Sequence, residues 1–299
     1  MFDTAPTLDC AGRRLSLDRP RIMGVVNLTP DSFSDGGRHA EPAAAVEHAL
    51  RLVEEGADLL DLGGESTRPG ASPVDAATEL GRVMPVLEAL LARVEVPVAV
   101  DTSKPEVMRA AIAAGAHMIN DVRALRAEGA LEAVAGSTVA VCLMHMQGEP
   151  RSMQQAPTYQ DVVEEVRGFL ADRLLACELS GIERRRLVID PGFGFGKTVE
   201  HNYRLLRQLS RFVDLGVPVL AGLSRKSMIG AVTGLPVDRR DPASAVAAVL
   251  AAEQGARLLR VHDVAGTRAA LAVWQAWREQ PAPTPSAATP RAPVWPDED

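Results

Sequence analysis

The polar side chains of this 299-residue chain that have the means to do chemistry stand directly after short apolar runs. Asp101 follows residues 96–100, Asn120 and Asp121 follow 118–119, and Asp190 follows 187–189. Carboxylates and an amide brought together offer acceptors and donors to a flat heterocycle of the aminopyrimidinone type. Asp101 and Asp121 also have a plainer use as helix caps, and only their grouping at run ends favours ligand recognition. Arg260 and His262 close the run 258–261 two positions apart, so both face one side of a strand while Val261 faces the other. With Arg225 and Lys226 of GLSRKSMIG they gather positive or donating groups fit for a pyrophosphate, and a helix starting near Gly266 would add its N-terminal amides.

Three further segments break regular structure beside such runs. NLTPDSFSDGG (27–37) combines Pro30, Gly36 and Gly37 with the oxygens of Asn27, Asp31 and Asp35, and reads as a mobile loop over a site. GGESTRPGA (63–71) places Thr67 and Arg68 before Pro69 and Gly70; Arg68 suits a phosphate clamp, against the plainer reading of a surface ion pair. DPGFGFGKT (190–198) looks like a phosphate loop but fails on spacing, because Pro191 and Lys197 stand where the two common fingerprints need glycine. It reads instead as a Gly-rich bend from which Phe193 and Phe195 lean toward a planar ligand while Asp190 points up from its strand. With Phe33, that places three of the chain's six Phe residues in such loops. Met144, His145 and Met146 read as packing or ligand lining rather than a soft metal site, and His39, His48, His117 and His201 are given no chemistry.

These residues need a scaffold that presents run ends on one side. Apolar runs at 22–26, 59–62, 96–100, 118–119, 139–143, 187–189, 217–221 and 258–261 read as buried strands. Between them lie helical patterns such as Leu80, Val83, Leu87 and Leu90, or Val162, Val166, Phe169, Leu170 and Leu174. Strand and helix alternating about eight times predict a single (β/α)₈ barrel, with an open doubly wound sheet as the alternative, and the C-terminal mouth of such a barrel is where sites are built. The expected division is a short segment over 1–20, possibly a hairpin on the barrel floor, a catalytic barrel over 21–280, and a disordered Pro- and Ala-rich tail over 281–299. A net charge of −7 argues against nucleic acid as a partner, so an anionic ligand must meet local positive groups. The three cysteines, Cys10, Cys142 and Cys177, lack metal-ligand spacing and read as reduced thiols. With no secretory pattern and no apolar run of about eighteen residues, the expected location is the cytoplasm, away from membranes.

Eight motifs in order, IMGVVNLTPDSFSDGG, DLGGESTRPGA, VDTSKPEV, GAHMINDV, CLMHMQG, DPGFGFGK, GLSRKSMIG and RVHDV, make the chain resemble the dihydropteroate synthase family from about residue 15 to residue 274. The resemblance implies a TIM barrel, dimeric in the family, that joins a dihydropterin pyrophosphate to p-aminobenzoate, with sulfonamides as competitors. It implies that Asp101, Asn120, Asp190 and Lys226 hold the pterin, assisted by Thr67 and Arg260. Pyrophosphate would meet Arg68, Arg260 and His262, with Mg²⁺ on Asn27. The arene would lie over Phe33, Pro69, Phe195 and Ser227, and Asp101, Lys226 and Arg68 would carry the catalysis. Pro242 and Ala243 depart from the small, Gly-containing pair expected there, which implies altered local helix geometry. Two other readings are a pterin-binding methyltransferase domain, which has no use for SRKS, TRPG or RVH, and a non-catalytic paralogue that keeps only the fold.

Overall fold

The computed structural model describes residues 6–29, 40–66, 70–149 and 153–280. The chain enters as a hairpin, β1 (Thr7–Cys10) and β2 (Arg13–Ser16), paired antiparallel with Cys10 opposite Arg13. Its two-residue turn, Ala11–Gly12, has φ of 53° and 84°, the twist that suits tight hairpins, and Gly12 N donates to Asp9 Oδ1 at 2.8 Å.

Eight parallel strands follow: β3 (Arg21–Asn27), β4 (Leu59–Gly63), β5 (Val98–Asp101), β6 (Met118–Asp121), β7 (Ala140–Met144), β8 (Leu187–Asp190), β9 (Leu220–Ala221) and β10 (Leu258–Val261). They pair in sequence order from β3 to β8, with β10 between β3 and β9. A parallel bridge from Ile189 to Val219 joins β8 to the segment before β9 and closes the ring. The expected barrel is therefore what forms, and the open sheet is excluded.

Ten helices lie among the described residues: α1 (Ala40–Glu54), α2 (Ala76–Leu91), α3 (Pro105–Ala114), α4 (Ala130–Ala135), α5 (Val162–Leu179), α6 (Val199–Arg207), α7 (Ser210–Val213), α8 (Ser227–Thr233), α9 (Asp241–Glu253) and α10 (Val264–Arg278). Their starts follow local chemistry. Asp75, Asp161 and Asp263 cap α2, α5 and α10, while Thr198 and His201 form a reciprocal cap on α6, which accounts for that histidine. Pro242 sits in the first turn of α9, where a missing N–H costs nothing, so the departure at 242–243 leaves the helix intact.

Alternation along each strand sorts the core into two layers. Leu60, Leu62, Val98, Val100, Ile119, Leu143, Ile189, Leu259 and Val261 face outward to the helices. Met23, Leu59, Ala99, Met118, Ala140, Cys142, Val188, Leu220 and Leu258 face inward, where they meet Leu8, Cys10, Leu15 and Leu17 of the hairpin segment. The hairpin thus plugs the floor of the barrel. All three cysteines are buried and free.

Candidate active site

Two residues beyond that plug the barrel interior turns polar. Leu59 is followed by Asp61, Ala99 by Asp101, Met118 by Asn120, Val188 by Asp190, and Leu258 by Arg260, each on the same face of its strand. These side chains find one another across the mouth. Arg260 Nε donates to Asp61 Oδ2 at 2.5 Å and Arg260 Nη2 to Asp101 Oδ2 at 2.9 Å, while Asn120 Nδ2 donates to the same Asp61 oxygen at 3.1 Å. One guanidinium therefore serves two carboxylates, and the second oxygen of Asp61, fully buried, has no partner among the described residues. Burial pushes the Asp101 carboxyl up while Arg260 draws it down and Asp61 lifts it again; the net movement is upward, to about 8. Asp190, buried on the far side, rises to about 6 for the same first reason, although it accepts Gly192 N–H at 2.7 Å.

Opposite Asp190 stands Lys226, the residue before α8, with its Nζ 4.1 Å from the centroid of the Phe195 ring. Burial and Arg260 draw its ammonium down to about 8, and Asp190 and Asp101 oppose them. Phe195 packs with Val122, Met144, Met146 and Met153 into an apolar wall. Met144 and Met146 are thus lining, as the sequence implies. Ser227 begins α8 at the exposed rim, and Asn27 ends β3 opposite Gly63. Beside Asp101 a cavity of about 240 Å³ opens, walled by Glu65, Thr102, Ser103, Lys104 and Val122.

The cationic group after β9 and β10 is smaller than its sequence suggests. Arg225, at φ 59°, binds Asp241 through Nε at 2.6 Å and Nη2 at 2.8 Å, so its guanidinium is already committed. Gly266 N–H, expected to face an anion, is taken by Asp263 Oδ1 at 2.9 Å. His262 is a neutral donor, not a cation: burial first, then Arg260 and Arg225, hold it down at about 3. Ser224 Oγ accepts the backbone N–H of His262 at 3.2 Å and shares a second hydrogen bond with its Nδ1 at 2.9 Å, which fixes the orientation of the ring.

Three further expectations are corrected or resolved. Phe193 does not lean toward the mouth; it is 1% exposed and belongs to the outer core. Asp121 neither caps a helix nor faces the site, since it accepts Ser103 Oγ, Arg123 N and Leu125 N and so ties the β5 and β6 loops together. Asp101 is likewise not a cap; its partner is Arg260. Thr67, Arg68, Pro69 and Phe33 lie outside the described residues, as does the tail from 281. Sequence reasoning missed Asp61, whose signal was a lone acid inside LLDLG, a strand that otherwise has nothing polar to bury. It also passed over Lys197, which is 2% exposed.

A closed barrel with acids, an amide and two bases converging inside its C-terminal mouth is an enzyme site for a flat, nitrogen-rich ring. The chain belongs to the pterin binding enzyme family, whose model matches residues 23–262. It is 51% identical over 265 residues to the dihydropteroate synthase of Escherichia coli K12, spanning 89% of this chain and 94% of that one. Among solved structures it is similar to Xanthomonas albilineans dihydropteroate synthase with 4-aminobenzoic acid, at 61% identity and a TM-score of 0.88, covering 93% of this chain and 100% of that one. The same enzyme in complex with 7,8-dihydropteroate matches at 56% identity and a TM-score of 0.83, with the same coverage.

Proposed function

We propose that this barrel mouth condenses (7,8-dihydropterin-6-yl)methyl diphosphate with p-aminobenzoate to give 7,8-dihydropteroate and pyrophosphate, the folate-forming step of the enzymes it resembles. The observation that carries this reading is the convergence of Asp61, Asp101, Asn120 and Asp190 with Arg260 inside one buried mouth. Asp190 accepts from the ring's amino and amide N–H groups, Asn120 offers both a donor and an acceptor, and Lys226 donates to ring acceptors. Thr67 and Arg260 complete the pterin contacts.

Bond cleavage sends the C–O electron pair to the departing pyrophosphate and leaves a cation spread over the pterin ring and its methylene. The aniline nitrogen then forms the C–N bond and sheds its proton. Asp101 faces that charge. Ion-paired with Arg260, it presents a fixed carboxylate to a charge that exists only as the bond breaks, so its stabilisation is greatest in the transition state. Arg68, Arg260 and His262 receive the leaving group. The arene lies over Phe195 and Ser227, with Phe33 and Pro69 from the rim loops, and sulfonamides compete there.

Mg²⁺ supplies neutralising charge to the diphosphate when bound. Asn27 fits it: opposite stands Gly63, where even an added Cβ would come only to 4.0 Å from the Asn27 amide oxygen. A single protein oxygen suits a cation that takes most of its ligands from phosphate and water. Among the described residues no cluster of three or more His, Cys, Asp or Glu is placed to hold a metal alone.

A homodimer in the cytoplasm is part of the proposal. Val246 with Leu250 on α9, and Val273 with Trp277 on α10, are exposed i,i+4 apolar pairs that support a subunit contact. The test of function is a product assay of the purified protein with Mg²⁺. Dihydropteroate and pyrophosphate should appear in equal amounts and only with both substrates present. Pyrophosphate released at the same rate without the arene would contradict the condensation.

A further inference from the structure

The loop between β8 and α6 is the most tightly fitted segment of the mouth. Gly192, Gly194 and Gly196 all adopt left-handed φ, at 71°, 80° and 61°. A Cβ on Gly192 would run into the His145 carbonyl, and one on Gly196 into that of Gln147. Two glycines pressed against the segment after β7, and Gly194 against Lys226, allow this shape but do not select it, because glycine reaches many others. Something must hold it.

Buried beneath the loop is Lys197. Its Nζ lies 2.9 Å from the Gly192 carbonyl, 3.0 Å from the Phe195 carbonyl and 3.0 Å from His145 Nδ1, with the His145 carbonyl at 3.4 Å. An ammonium has three protons, and three acceptors stand within 3.0 Å. Among the described residues no carboxylate pairs with it. Burial and Lys197 itself hold the His145 imidazole neutral, down at about 2, which leaves its Nδ1 able to accept from the ammonium. Burial draws the Lys197 ammonium down to about 7 while Asp190 supports it. Other side chains also hold the loop: Asn202 Oδ1 accepts Gly194 N–H at 2.7 Å, Tyr159 Oη donates to the Gly196 carbonyl at 2.8 Å, and Gln154 Nε2 donates to the Gly194 carbonyl at 2.5 Å.

We propose that Lys197 is a positioning residue for the pterin site: its ammonium, with neutral His145 as one acceptor, gathers the loop carbonyls from inside and so fixes Phe195 and the Gly192 N–H that orients Asp190. Phe195 is the ring under Lys226, and Gly192 N–H is the donor to Asp190, so two walls of the site depend on one buried charge. A half-satisfied version of this cluster would leave buried carbonyls unpaired. The role rests on the pterin-binding reading of the mouth, but the charge cluster itself is testable without it.

The experiment pairs Lys197→Met, which keeps length and apolar bulk, with Lys197→Arg, which keeps the cation, in the intact enzyme. Loop contacts made alike in ground and transition states act on affinity, so Lys197→Met should raise KM for the pterin substrate about tenfold or more while kcat changes less. Lys197→Arg should recover part of that loss. Histidine ¹⁵N NMR of the unliganded parent should show His145 Nδ1 as an unprotonated, hydrogen-bonded nitrogen, and its resonance should move in Lys197→Met. Unchanged pterin KM in a folded Lys197→Met overturns the positioning role. If Lys197→Met does not fold, the parent spectrum still decides, because a proton found on His145 Nδ1 overturns the ammonium cluster. Parent enzyme that neither binds nor turns over a pterin would instead defeat the functional reading while leaving the spectrum to judge Lys197.

Discussion

The two ends of the barrel are built from the same strands and share almost no chemistry. At the floor, Leu59, Ala99, Met118, Val188 and Leu258 meet the hairpin in an apolar cluster. One inward position further along, about 6.6 Å at the usual strand rise, stand Asp61, Asp101, Asn120, Asp190 and Arg260. Stability and chemistry are thus separated by a single step of the strand period. The floor gains from burial in proportion to apolar area. The mouth gains in that way only at the Phe195 wall; elsewhere it holds charges at a desolvation cost offset by mutual pairing and by ligand.

That contrast is sharpest at Arg260, the one mouth residue whose loss should damage both ends. Arg260→Ala leaves Asp61 and Asp101 buried with no counter-charge, so unfolding should become easier by on the order of 3 kcal/mol. Pyrophosphate should bind more weakly by about 1.5–3 kcal/mol. Denaturant titration and calorimetry read the two effects. A variant as stable as the parent would show that the mouth pairing contributes nothing to the fold.

A smaller effect comes from pH. Burial raises Asp190 to about 6, and the ring needs its carboxylate form. The binding form is therefore complete above that value and lost as pH falls through it. Pterin affinity should decline about tenfold per pH unit below about 6, whereas Asp190→Asn should bind weakly with a flat profile. A parent profile that stays flat down to about pH 5 would place recognition elsewhere.

Much of this was legible in the chain. The eight strands, the barrel and the mouth residues Asp101, Asn120, Asp190 and Arg260 follow from apolar runs and what terminates them. The entry segment over 1–20 read only as a possible hairpin, and its turn at Ala11–Gly12 came from the structure. What escaped was pairing over distance. Asp61 meets Arg260 from 199 positions away, and Arg225 is claimed by Asp241 on the next helix, neither of which a run or a loop motif encodes. Phe193 and Phe195 illustrate the same limit: two residues apart in one Gly-rich bend, one enters the outer core and the other the mouth, a choice made by left-handed glycines rather than by side-chain type.

The claim that floor and mouth do separate jobs is tested most directly by measuring kcat and Tm together on Asp101→Asn and Leu258→Ala. Asp101→Asn keeps shape and removes the charge facing the cation, so kcat should fall about 100-fold or more with Tm little changed and pterin binding far less affected. Leu258→Ala opens the plug at about 2–5 kcal/mol and should lower Tm by several degrees while kcat stays within about threefold. Unchanged turnover in Asp101→Asn, or a loss of turnover in a folded Leu258→Ala as deep as that of Asp101→Asn, would contradict the account.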